Sequence, residues 1–159
     1  MAIIAPFWAT TDTYFAFRDG HSKVYYQVYS QTKESSSEIL KRASQDVTRY
    51  DEGDKFANFA ASWVLVVTWQ KLCPYVYYPY YYYYEENVPL NCPWSNTFQA
   101  VIITDGFNTF LMYNYPSGGI QWVVPADPEY YRYWTSYYGL PVAGWNAGND
   151  GKDYYNHEA

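Results

Sequence analysis

The chain has 159 residues, enough for one domain with a sizeable core. It carries 10 Lys and Arg against 16 Asp and Glu, a net charge of −6, and no basic cluster, which argues against phosphate-rich partners such as nucleic acid. Aromatic residues make up 23% of it, with 22 tyrosines and 7 tryptophans, so large amphipathic rings are left over for contact surfaces once a core is filled.

No apolar run approaches the ~18 residues of a membrane span. Met1 to Pro6 lacks the charged start and long apolar middle of a secretion signal, so none is expected in this chain. Ile3 to Trp8 reads as the first strand. Asp12, in its exit, is better suited to capping backbone amides than to holding an ion. Tyr14 to Phe17, the turn Arg18-Asp19-Gly20 and Lys23 to Tyr29 form an expected hairpin. In its second arm Val24, Tyr26 and Val28 alternate against Tyr25, Gln27 and Tyr29, which predicts one buried face and one wet or bound face.

Ser35 to Tyr50 carries the helical signal. Ser35 and Glu38 make a capping box, and Ile39, Leu40, Ala43, Val47 and Tyr50 recur as one apolar stripe. Asp51 to Lys55 ends it as an acidic loop. Trp63 to Trp69 is apolar on both faces and belongs at the centre of a sheet, where a carboxylate at Val66 is expected to abolish folding.

The two cysteines, Cys73 and Cys92, enclose 18 residues. Inside a cell they would be free thiols and outside it one disulfide; their positions beside prolines at strand edges favour the disulfide, which would contribute about 3 kcal/mol. Between them lies a low-complexity tract with eight tyrosines in ten residues: Tyr75, Tyr77, Tyr78, Tyr80, Tyr81, Tyr82, Tyr83 and Tyr84. Pro74, Pro79 and Pro89, with Pro93 just after Cys92, oppose a regular strand there, so an extended protrusion closed at 73–92 is expected, with rings that face solvent, sugars or another protein.

Asn96 to Trp122 organises the rest. Phe98 to Thr104 and Thr109 to Tyr115 flank Asp105-Gly106, a reversal that tolerates positive φ, and Ile120 to Val124 is expected as a third strand of the meander. A second aromatic loop, 125–139, crowds Tyr130, Tyr131, Tyr133, Trp134, Tyr137 and Tyr138 around Arg132. Val142 to Trp145 reads as a last short strand, and Asn146 to Gly151 as a turn. Asn149, Asp150 and Asp153, with Asp12, are weak calcium candidates, because the remaining ligands of a calcium loop are missing. The tail from Tyr154 to Ala159 has no core signal.

Six blocks in order, IAPFW, SWVLVVTW, FQAVIITDG, FLMYNY, GIQW and VAGWNAG, resemble the NIDO domain, an extracellular module of matrix and mucin proteins. The resemblance implies a secreted adhesion or matrix domain without established catalysis. It supplies no site, since the shared residues are mostly apolar or turn-forming. It also implies a second acidic residue where Thr10 stands, so any ion site built on Asp12 is short of a ligand. Trp145 stands where the family usually has Phe.

Catalytic motifs are missing: no GxSxG, HExxH, P-loop or zinc spacing occurs, and the two histidines give a triad little to build on. Glu85-Glu86 with Asp127 or Glu129 could flank a sugar as glycosidase carboxylates do, but no strand motif holds them. No N-x-S/T sequon is present, so a glycan would be O-linked. The expectation is one domain over 1–159: a mainly β, antiparallel sandwich of about eight strands with one helix at 35–50. Its expected role is an extracellular structural or adhesive module that contacts copies of itself, as in a filament, or other matrix proteins. The alternative is a carbohydrate-binding module with exposed Tyr and Trp platforms. No cofactor is expected beyond the weak calcium candidates.

Overall fold

A computed structural model describes residues 1–11, 22–33, 36–74, 94–123 and 141–158. The expected strand at Tyr14 to Phe17 and both tyrosine-rich loops lie outside these. The class is the expected one: mainly β, two antiparallel sheets and one helix, consistent with a β-sandwich. Among the described residues there are seven strands: β1 (Ile3–Trp8), β2 (Lys23–Ser30), β3 (Trp63–Leu72), β4 (Asn96–Thr104), β5 (Thr109–Asn114), β6 (Val142–Asn146) and β7 (Tyr154–Glu158). The helix α1 (Ser37–Arg49) falls between β2 and β3. One sheet has the order β1-β6-β7 and the other β2-β3-β4-β5.

By contacts the chain divides into two compact units. The second, Val24–Thr68 with Gln99–Asn114, is built on α1. Leu40, Ala43 and Val47 share one face of that helix and pack with Val64, Val101 and Ile103 of the sheet. Phe110 closes this core edge-on against Phe56 and Phe59, with ring centroids 4.8 and 5.1 Å apart. Ser44 ties the helix to the next segment, donating to the Leu40 carbonyl at 2.8 Å and accepting the Ala61 amide at 2.9 Å. Beyond the apolar core, a polar row crosses the sheet: Gln99 donates to Thr68 Oγ1 at 2.8 Å, and Asn114 donates to Gln99 Oε1 at 2.9 Å.

The first unit comprises Met1–Lys23, Trp69–Phe98 and Tyr115–Ala159. Its aromatic centre is Phe98, stacked on Trp69 at 5.2 Å and tilted against Phe7 at 5.4 Å, with Trp122 edge-on to Phe7. Trp122 also donates its indole N–H to the Leu72 carbonyl at 2.9 Å. Buried Asn96 closes this unit. Its Oδ1 accepts the amides of Gln121 and Trp122 at 2.8 and 3.1 Å, and its Nδ2 donates to the Trp122 carbonyl at 2.7 Å.

Several expectations need correction. Ile120 to Val124 is not a strand: the described part of it, through Val123, is irregular, and the Asn96 side chain rather than a neighbouring strand satisfies the Gln121 and Trp122 amides. Val142 to Trp145 is not the last strand, because Tyr154–Glu158 pairs with it as β7. That pairing is backbone to backbone, so it left no hydrophobic signature. Ile39 and Tyr50 do not belong to the buried helix stripe; both are exposed. Ser35 lies outside the described residues, and the N-cap, Ser36, makes no side-chain capping bond. In β3 the fully buried position is Val64 rather than Val66, which is half-buried beside the core. Along β4 burial falls on Asn96, Phe98 and Ala100, then shifts phase to Val101 and Ile103, which is why the run reads as apolar on both faces.

The hairpin expected around Asp105-Gly106 forms as read, with Ile103 opposite Phe110 and Val101 opposite Met112. Gly106 takes φ +100°, a conformation open to glycine. The Asp105 carboxylate accepts the Phe107 and Asn108 amides at 2.8 and 2.6 Å. Those amides, Asn108 foremost, hold its pKa below the ordinary carboxylate value.

Candidate interaction surfaces

The three-stranded sheet carries large side chains on both faces. Residues directly opposite one another in an antiparallel pair share a face. Ile4 lies opposite Trp145, and Trp145 opposite Tyr155, so these three exposed side chains form a row across the sheet. On the other face, Ile3, Asn146 and Tyr154 make one row, and Ala5, Gly144 and Asn156 the next.

A bulge in β1 completes that second face. Ala5 pairs with Gly144 but Trp8 pairs with Val142, so three steps along β1 match two along β6. The extra residue reverses the alternation, and Trp8 returns to the Ala5 face instead of sharing the Ile4 face. Pro6 sits inside the bulge, where its missing N–H costs no ladder bond. Its carbonyl accepts the Tyr115 hydroxyl at 2.5 Å, which fixes the kink. Phe7 is thereby left facing Phe98 and Trp122.

The result is a shallow groove of about 280 Å³. Ala5 and Gly144 form its low floor. Trp8, 59% exposed, and Tyr154, 60% exposed, stand at its two ends. Asn146 and Asn156 supply carboxamides, and none of the described lining residues is charged. Gly144 is there for a steric reason: a Cβ would lie 2.1 Å from the Tyr155 carbonyl oxygen.

In the second unit the exposed feature is β2, the outer strand of its sheet among the described residues. The expected division into one buried and one open face fails in its first half. Val24, Tyr25 and Tyr26 are all exposed, and only Val28 to Ser30 are partly covered. A depression of about 460 Å³ lies between α1 and β5. Two of the three carboxylates lining it are engaged locally, Asp46 with Arg42 at 3.4 Å and Asp51 with the Phe56 amide at 2.5 Å.

Of the residues singled out from sequence, Tyr75, Tyr77, Tyr78, Tyr80 to Tyr84, Tyr130, Tyr131, Tyr133, Trp134, Tyr137, Tyr138, Cys92 and Asp12 lie outside the described residues. No described cysteine is free. Asn149 and Asp153 close the β6–β7 turn on each other: Asn149 Nδ2 donates to Asp153 Oδ2 at 2.6 Å, and the Asp153 amide to Asn149 Oδ1 at 3.1 Å. Asp150 takes φ +58° in the same turn. Among the described residues, no three His, Cys, Asp or Glu side chains gather as an ion site. None of the described helices is long and apolar enough to cross a membrane.

The surfaces that sequence reasoning missed are those of β1, β6 and β7. A proline inside an otherwise regular strand was the available signal for the bulge that turns Trp8 outward. The turn-rich Asn146 to Gly151, followed by Tyr154-Tyr155, was the available signal for a closing hairpin.

Comparison with known proteins places the chain. The family model for the nidogen-like domain, NIDO, matches residues 1–159. Human alpha-tectorin is 36% identical over 114 residues, covering 72% of this chain and 4% of that protein. Human nidogen-1 is 32% identical over 118 residues, 74% of this chain and 8% of that protein. Human mucin-4 is 29% identical over 127 residues, 78% of this chain and 2% of that protein. The chain therefore spans a small fraction of the length of these relatives, and no solved structure matches it. With the whole chain matched and its hairpin, helix and aromatic centre in place, this protein belongs to the nidogen-like domain (NIDO) family.

Proposed function

We propose that this chain is one extracellular NIDO module of a matrix or mucin-type protein, acting by protein contact rather than catalysis, and that its copies associate through the exposed side chains of β2, the outer strand of the four-stranded sheet among the described residues. Family membership supports the matrix setting. The observation that carries the contact reading is β2. Among the described residues it is the outer strand of its sheet, and its Val24, Tyr25 and Tyr26 are exposed, with Tyr26 at 76%. An open edge offers backbone donors and acceptors to another strand, and apolar side chains on both faces strengthen such an addition. Soluble proteins usually blunt such an edge with charge; here Lys23 alone stands at its start.

A second copy is the occupant proposed, because like edges can pair in a two-fold arrangement or, using different edges, in an open chain. The tyrosine loops at 75–84 and 130–138 and a Cys73–Cys92 disulfide belong to the same proposal as further contact area and its brace. Light scattering with electron microscopy tests it. The purified chain is expected to associate as concentration rises, and Tyr26→Lys to shift it toward monomer without lowering its melting temperature. A chain that stays monomeric at high concentration, or association untouched by Tyr26→Lys, overturns the reading.

A further inference from the structure

We infer that the groove on the β1-β6-β7 sheet is a binding site for a neutral oligosaccharide, with Trp8 and Tyr154 as its stacking platforms. This does not rest on association through β2, which uses other residues. Three features of the groove select the ligand. Its ends are exposed aromatic side chains, and aromatic rings can stack on the apolar C–H faces of pyranose rings. Its floor, Ala5 and Gly144, is low enough for a flat ring to settle between them.

Its polar groups are carboxamides, which both donate and accept and so suit hydroxyl groups. Asn146 spends its Oδ1 on the Gly148 amide at 2.7 Å, leaving its NH2 to donate, while exposed Asn156 offers both functions. Charge decides the rest. None of the described lining residues is charged, and the chain carries −6 overall, so sialylated or sulfated chains would meet repulsion with nothing to pair with. Length follows from the lattice of the sheet. Trp8 on β1 and Tyr154 on β7 are two strand spacings apart and separated along the strands, a diagonal of about 16 Å, which fits an oligosaccharide better than a single ring. The bulge at Pro6 gains a purpose here: without it Trp8 would leave this face.

The test is titration calorimetry and tryptophan fluorescence with neutral glucan, chitin and lactosamine oligomers, with sialylated and sulfated glycans as comparators. At least one neutral series is expected to bind saturably and change the emission. Trp8→Ala and Tyr154→Ala should each weaken it about tenfold or more, while Ile4→Ala, on the opposite face and outside the groove lining, changes it less than about twofold. Trp8→Phe should retain most of the affinity, which separates loss of stacking from loss of fold, and Asn156→Ala gives a second reading that leaves the bulge intact. Tyr26→Lys should disperse assemblies without altering sugar affinity, so the failure of one reading is distinct from failure of the other. Lack of binding to every neutral series at about 10 mM, preference for the anionic glycans, or affinity indifferent to Trp8 and Tyr154 overturns the proposal.

Discussion

Asn96 shows how one polar side chain can replace a strand. Fully buried, it satisfies two amides and a carbonyl of the Gln121-Trp122 segment, as a neighbouring backbone would. Asn96→Ala strands those three groups, and unfolding by denaturant should register a loss of about 2–4 kcal/mol. A loss below about 1 kcal/mol would mean that water takes over the role. Asp105 makes a pH-dependent counterpart in the exposed hairpin turn. The amides of Asn108 and Phe107 lower its folded pKa, so its contribution is fully present above the unfolded value and fades as pH falls through the folded one. The protection factors of the turn amides, corrected for intrinsic exchange, should therefore fall on acidification below the usual carboxylate range, and Asp105→Asn should remove that dependence. Of these two residues only the second was legible in advance. Asp-Gly between apolar runs states its own local geometry, whereas nothing adjacent to Asn96 reveals that residues 25 and 26 positions later depend on it.

Elements with strong internal periodicity were legible as elements, though not in every buried position: α1, β3 and the β4–β5 hairpin each have a run whose spacing is visible in the chain. Their edges and exceptions were not. In β1 a single extra residue inverted the face of Trp8, a consequence of pairing with β6 that alternation cannot anticipate. In β7 every described side chain is exposed, so only backbone pairing defines the strand. Gly144 measures how tightly that pairing is drawn. Since a Cβ would lie 2.1 Å from the Tyr155 carbonyl oxygen, Gly144→Ala must push β7 away from β6. The expected cost is about 2–4 kcal/mol, with faster amide exchange confined first to β7 and the β6–β7 turn. A variant with unchanged stability and exchange would show that the strands relax freely.

At the scale of the molecule, two surfaces stand on separate units and serve separate readings. The exposed side chains at Val24 to Tyr26 belong to the proposed association, and the Trp8–Tyr154 groove to the proposed sugar binding. Substitutions in one are expected to leave the other's measurement unchanged, because neither surface shares a residue with the other. A double variant, Tyr26→Lys with Tyr154→Ala, should therefore lose association and sugar affinity by the amounts of the single variants, within experimental error. Coupling beyond that would join the two surfaces into one site.

The chain alone determined its class and family. Apolar runs of strand length, one striped helical segment and turn residues at the reversals are local signals, and six sequence blocks carry the NIDO resemblance. Only the tertiary structure decided which rings are spare. Exposure of Trp8, Tyr26 and Tyr154 depends on a bulge, an edge and a hairpin closure. Each of these is a relation between distant segments, and a side chain's type does not record whether another strand will cover it.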